Sequence, residues 1–257
     1  MIIFIRIIYI FPNMGMWGLD TKNTLFPEIE TLIHQTRTIE ENKLPHKEVS
    51  QNIFEIKNEK MSPSDYLVAF SVQSESYCIG LVDMVNSTKI SANLHEREWC
   101  KYYSIFLNSM AKILPRFGGH AIKNGGDSLL YYFPESNKLR NGLVSCLECS
   151  LIMIEAQSFI SKKTQEEGLP PLNFRVSADY GRVVFMKSNN STSVDPIGPP
   201  VNMCAKINHK AQSNEVVIGG DLYQMTKDLG DYQFSPVSGL SIGLKYTYPI
   251  YALNRKR

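Results

Sequence analysis

The run Tyr77-Cys78-Ile79-Gly80-Leu81-Val82-Asp83-Met84-Val85 decides the fold. It has the length and apolar, β-branched content of a buried strand, yet it carries a carboxylate near its C-terminal end. Asp83 is the anomaly from which the rest of the chain is read.

Downstream, Trp99, Tyr102, Tyr103, Phe106, Leu107, Met110 and Leu114 mark one face of a long amphipathic helix that stops at Pro115 and Gly118-Gly119. A hairpin follows: a strand His120 to Lys123, the turn Asn124-Gly125-Gly126, and a strand Ser128 to Phe133. Residues 139 to 166 read as helical, ending before Gly168 and Pro170-Pro171. Two strands are expected next, Asn173 to Asp179 and Arg182 to Lys187, interrupted at Tyr180-Gly181. A polar loop from Ser188 to Pro196 then leads to a Pro-started helix over Pro200 to Ala211, a short strand Val216 to Ile218 and a helix Asp221 to Leu229. Two strands close the chain, the last near Tyr246 to Leu253. The order βαββαβ predicts an α+β, ferredoxin-like domain with extra C-terminal helices and strands.

Upstream, residues 1–60 read as an N-terminal extension and residues 66–257 as the domain, with Met61-Ser62-Pro63-Ser64 punctuating the junction. Within the extension Ile29, Leu32, Ile33, Thr36 and Ile39 recur at helical spacing. The first eleven residues are apolar but interrupted by Arg6, short of the roughly 18 that a membrane span requires, and no small-residue cleavage site follows. Membrane association is not expected on this basis, and translation could equally start at Met14 or Met16.

The chain has 257 residues, 27 Lys plus Arg against 25 Asp plus Glu, and a net charge of +2. That balance and the lack of a basic, aromatic-interleaved stripe exclude nucleic acid as the expected partner. The five cysteines, Cys78, Cys100, Cys146, Cys149 and Cys204, are odd in number and mostly sit in apolar patterns, as reduced thiols of a cytoplasmic protein would. Cys146 and Cys149 form a lone CxxC with no second pair for zinc, and read as small residues on a helix face.

Asp127 follows Asp83 by 44 positions on the Gly-rich hairpin. In a ferredoxin-like order the two carboxylates can meet at one sheet end, and paired hard oxygens suit Mg²⁺ or Mn²⁺. The structural alternative is that Asp83 caps the following helix and Asp127 is an ordinary turn acid.

Leu81-Val82-Asp83-Met84-Val85-Asn86-Ser87-Thr88 resembles the first metal motif of class III adenylate and guanylate cyclases, with Asn86 where the family has glycine. Asn tolerates a left-handed backbone, which would preserve the turn. Phe117-Gly118-Gly119-His120-Ala121-Ile122-Lys123-Asn124-Gly125-Gly126-Asp127 resembles the second segment, and Asp195-Pro196-Ile197-Gly198-Pro199-Pro200-Val201-Asn202-Met203-Cys204-Ala205-Lys206 the third. The resemblance covers roughly Tyr77 to Leu253 and implies Asp83 and Asp127 as ligands of two Mg²⁺ or Mn²⁺ ions. It implies Lys123 and Asp195 as readers of the adenine ring nitrogen and exocyclic amine, and so ATP as substrate, since guanine needs the opposite polarity. Asn202 falls where the family orients the ribose, and Lys206 where it places a transition-state arginine. A lysine keeps the charge but loses the forked contact, so turnover should be reduced rather than abolished. A family lysine on the outer phosphates aligns with Ile242, with Lys245 three residues on.

The resemblance further implies a homodimer with two composite sites and an inactive monomer. The expected activity is an adenylate cyclase, a phosphorus-oxygen lyase making cyclic AMP and pyrophosphate from ATP by two-metal catalysis. The alternative is a catalytically weak nucleotide-binding regulatory module of the same fold, which Lys206, Asn86 and the missing phosphate lysine favour and the two aspartates oppose. A diguanylate cyclase would need Glu-Phe after Gly125-Gly126-Asp127, where Ser128-Leu129 stands.

Overall fold

The computed structural model of the chain describes residues 22–34, 67–71, 73–134, 142–188, 194–241 and 247–256. In chain order these form α1 (residues 22–34), β1 (Val68–Phe70), β2 (Glu75–Met84), α2 (Ser87–Ser91) and α3 (Glu96–Ile113). A 3₁₀ turn, Leu114–Phe117, leads to β3 (His120–Asn124) and β4 (Ser128–Pro134), then α4 (Gly142–Glu155) and α5 (Gln157–Glu166). The remainder is β5 (Phe174–Ser188), β6 (Asp195–Ile197), α6 (Pro199–Asn208), β7 (Val216–Gly219), α7 (Gly220–Thr226), β8 (Tyr232–Ser241) and β9 (Thr247–Arg255).

The strands form one sheet in the order β3-β4-β2-β5-β7-β9-β8, with β1 and β6 pairing the far half of β5. The segment β3-β4-β2-β5 is antiparallel throughout and has the ferredoxin-like order, as the sequence predicts. Both faces of β2 are covered, which is why its sequence is continuously apolar rather than alternating. Cys78, Val82 and Met84 enter the main core beneath α3 and α4. Ile79 lies on the other face in a second cluster with Val183 and Cys204, bordered by Tyr77, Leu81, Leu130, Tyr132, Phe185 and Val201. β4 alternates as a half-covered strand should, with Leu129, Tyr131 and Phe133 in the core.

Three expectations are corrected. β5 runs unbroken through Tyr180-Gly181, because Gly181 serves close packing rather than a turn: a Cβ there would lie 3.3 Å from Pro200 Cδ of α6. The helix expected over 139 to 166 divides at Ala156 into α4 and α5, with 139–141 outside the described residues. The loop expected up to Pro196 contributes a strand, β6.

Of the helical periodicity upstream, Ile29 and Ile33 are fully buried in the main core together with Leu25, while Thr36 and Ile39 lie outside the described residues. Phe26 of α1 stacks on Phe159 of α5 at 4.9 Å, and Lys163 pairs with Glu30 at 2.6 Å. Glu28 pairs with Arg116 and Lys22 with Glu155. The α4–α5 stretch is long and apolar enough to cross a membrane, but more than half of that window is buried within the protein, where it lines the core. None of the five cysteines is joined in a disulfide, and Cys146 and Cys149 are buried on α4.

Candidate active site

Asp83 is one residue from the end of β2, where its register partners are Ser128 on β4 and Arg175 on β5. Asp127 enters the same sheet end from the β3–β4 turn, and its carbonyl accepts the Met84 backbone N–H at 3.0 Å. The two carboxylates are near enough for their charges to repel. Burial pushes the Asp83 carboxyl up, the Asp127 charge adds to that, and Arg175 and His209 oppose it. Arg175 donates to Asp83 Oδ2 from Nε at 3.2 Å and from a terminal nitrogen at 3.0 Å, and reaches His209 Nδ1 at 3.4 Å. On the other side the Ser87 hydroxyl donates to Asp127 Oδ2.

The turn that brings Ser87 there depends on Asn86, which adopts φ 60° and ψ 26°, the left-handed conformation usually left to glycine. Asn86, not Asp83, is the N-cap residue of α2, so the capping alternative for Asp83 does not hold.

The donor set fits a hard divalent cation. Two carboxylates converge at a half-buried sheet end where their mutual repulsion calls for positive charge. Among the described residues no group of three His, Cys, Asp or Glu side chains is arranged to hold a metal by itself, so substrate oxygens would have to complete the coordination.

α6 lies across β2 and β5 on the same sheet face as Asp83, and buried polar contacts hold it there. The Ser177 hydroxyl donates to the Cys204 carbonyl at 2.9 Å, and the Cys204 thiol to the Ile79 carbonyl at 2.9 Å. The Asn208 amide donates to Ser177 Oγ at 3.2 Å. With Met203, Cys204, Ile207 and Asn208 buried, the opposite face of α6 presents Asn202, Ala205, Lys206 and His209 to solvent. Asn202 and Lys206 are thus brought onto one helix face. No hydrogen bond or ion pair among the described residues joins Lys206 to Asp83 or Asp127 of its own chain.

Lys123 is exposed on the edge strand β3, in register with Leu130, and Asp195 is half-buried on β6, in register with Met186. In sheet order three strands separate β3 from β6, but the sheet curls so that the two lie against each other. Inside the curl is an aromatic cluster. Tyr132 contacts Tyr77 at 5.4 Å and Phe185 at 5.7 Å between ring centres, and His120 stacks on Tyr132 at 5.1 Å. The strands carrying the two expected base readers are therefore neighbours within one chain. Ile242 and Lys245 lie outside the described residues.

Sequence reasoning missed Arg175. It stands in an expected strand 92 residues from Asp83 and carries no motif, and only the β2–β5 register reveals the pairing.

Comparison with known proteins agrees with this fold. The structure superposes on the crystal structure of the adenylyl cyclase CyaB from P. aeruginosa with a TM-score of 0.66, at 18% identity, covering 74% of this chain and 97% of that one. It superposes on the guanylate cyclase domain of RhGC from Catenaria anguillulae, in complex with GTP, with a TM-score of 0.63, at 17% identity, covering 72% and 100%. A curated relative, the cytidylate cyclase of Escherichia coli, is 20% identical over 154 residues, 56% of this chain and 33% of that protein, so the match spans a third of the relative's length. Residues 71–254 match the adenylate and guanylate cyclase catalytic domain family, and with the cyclase fold around them the chain belongs to that family.

Proposed function

We propose that the protein is a nucleotide cyclase converting ATP to 3′,5′-cyclic AMP and pyrophosphate at the interface of a homodimer. The convergence of Asp83 and Asp127 beside Arg175 at one sheet end is the observation that carries this reading. Relatives are named as adenylyl, guanylate and cytidylate cyclases, so the base must be argued from this chain's own residues. Lys123 can only donate and Asp195 only accept, which suits the adenine ring nitrogen and amine and opposes guanine.

Asp83 and Asp127 would hold two Mg²⁺ or Mn²⁺ ions together with the triphosphate. When bound, such ions lower the pKa of the attacking ribose 3′-hydroxyl and neutralise charge on the departing pyrophosphate. Ser87 holds one Asp127 oxygen by a hydrogen bond, so a metal ion would take the other. Arg175 offers a guanidinium beside the carboxylates, where it can carry a phosphate's charge and take over from the lysine replaced by Ile242. Asn202 and Lys206 are exposed on α6, and Lys206 bonds to neither carboxylate of its own chain, so in a homodimer they would serve the partner's substrate: Asn202 orienting the ribose, Lys206 meeting charge that develops on the α-phosphate.

The test is product formation by purified protein with ATP and Mg²⁺ or Mn²⁺. Cyclic AMP should form with the wild type and fall by about a hundredfold or more in Asp83→Ala. Bound ATP with no product from a confirmed dimer would instead mark a regulatory nucleotide-binding module.

A further inference from the structure

Resting on the cyclase reading, we propose that the Lys123–Asp195 pair selects the amino-bearing edge that adenine and cytosine share, so that CTP is a substrate alongside ATP while GTP and UTP are rejected. In adenine the N1 acceptor and the N6 amine belong to one amidine unit. Cytosine carries the same unit as its N3 acceptor and N4 amine. A lysine ammonium that only donates and a carboxylate that only accepts match both bases in the same order. Guanine and uracil invert that order, setting an N–H against Lys123 and a carbonyl oxygen against Asp195. Both contacts then become repulsive, and sites built on such polar pairs reject the mismatched ligand strongly.

Nothing in the arrangement of these strands asks for a second ring. The rings of Tyr77, Tyr132 and Phe185 form a cluster that runs from His120 of β3, stacked on Tyr132, to Phe185 of β5, the register partner of Pro196 on β6. Flat aromatic surfaces accept the π-face of any base. β3 and β6 lie in contact, which brings the strands of Lys123 and Asp195 together. The cytosine amidine lies one ring nearer the ribose than that of adenine. Lys123 can follow it, being exposed at the sheet edge on a four-carbon stem, beside a register shift between Ala121 and Lys123. Asp195 sits on a strand of only three residues, held by β5 alone among the larger strands of the sheet path.

The experiment offers the full chain each of the four ribonucleoside triphosphates with Mn²⁺ and identifies products by mass. In parallel, each nucleotide competes against a fluorescent ATP analogue, a readout that does not depend on turnover. The expected result is cyclic AMP and cyclic CMP at rates within about tenfold of each other, with GTP and UTP at least about a hundredfold slower and the same order in competition. The double variant Lys123→Glu, Asp195→Lys should reverse that order in binding. ATP used alone, with CTP neither converted nor competing, would overturn the proposal and leave the adenylate reading standing. CTP converted without ATP would keep the amino-edge rule for cytosine but sink the adenylate reading. GTP or UTP accepted as readily as CTP would remove the pair from base recognition altogether. If no cyclic product forms but ATP and CTP still outcompete GTP and UTP, the cyclase reading fails and the base rule stands. Equal competition by all four, or none by any, defeats the base rule.

Discussion

Asp179 is the one Asp or Glu among the described residues with no exposure to water. It accepts from Tyr248 OH at 2.8 Å and from the backbone N–H groups of Tyr180 and Leu222 at 2.9 and 3.4 Å. It thereby joins β5 to β9 and to the start of α7. A side chain on Gly219 would collide with its carboxyl group, which is why glycine stands there. Burial pushes Asp179 up to about 6 despite the three donors, and the nearby Asp221 charge adds to the rise. A carboxyl whose pKa is higher folded than unfolded binds its proton more tightly in the folded state. Its stabilising contribution is therefore fully present below about pH 4 and lost as pH rises through about 6, a difference on the order of 2 to 3 kcal/mol. Asp179→Asn keeps an oxygen for the backbone N–H groups of Tyr180 and Leu222, lets its amide N–H donate to the Tyr248 hydroxyl, and removes the titration. Between pH 5 and pH 8, wild type should lose denaturant resistance relative to this variant. Parallel profiles for the two proteins would show that Asp179 does not titrate in that window.

At the scale of elements, α1 lies outside the family match yet sets Leu25, Ile29 and Ile33 into the main core. Ile29→Ala should cost about 2 to 4 kcal/mol and lower the thermal midpoint by roughly 5 to 10 °C. An unchanged midpoint would mean that α1 does not hold this position in solution. The helical period of α1 was visible in the sequence, but its docking was not, because an apolar stripe does not name the surface that covers it. The strands that bracket the site were legible for a physical reason. Val82 and Met84 must be apolar on one face of β2 and Ile79 on the other, so Asp83 stands out within the run. Turn chemistry likewise exposed the hairpin that carries Asp127. β5 was misread as two strands because Gly181 punctuates a turn in sequence terms, whereas its lack of a Cβ actually admits Pro200. Arg175 and His209 stayed hidden because their significance comes from register and from the end of α6, neither of which leaves a local pattern.

Across the whole molecule, one sheet face carries both halves of the expected chemistry without joining them. Asp83 and Asp127 bond to Arg175 and Ser87, while Asn202 and Lys206 point outward from α6. A twofold axis would let each chain's outward face complete the other's carboxylate pair, giving two equivalent sites. Complementation tests this without any structure of the dimer. In the proposed homodimer Asp83→Ala would remove the metal half of both sites, and Lys206→Ala would remove the charge offered to the α-phosphate. If the two inactive or weakened proteins are mixed and exchange subunits, half of the dimers are mixed by chance, and each of those carries one site with neither substitution. Activity should return to about a quarter of the wild-type value at equal total protein. A mixture that forms heterodimers, seen by native mass spectrometry, but shows no more activity than its components would place Asp83 and Lys206 in the same site half. The composite-site reading would then fail, and Lys206 would have to reach the carboxylates of its own chain by a movement of α6 away from Ser177 and Ile79.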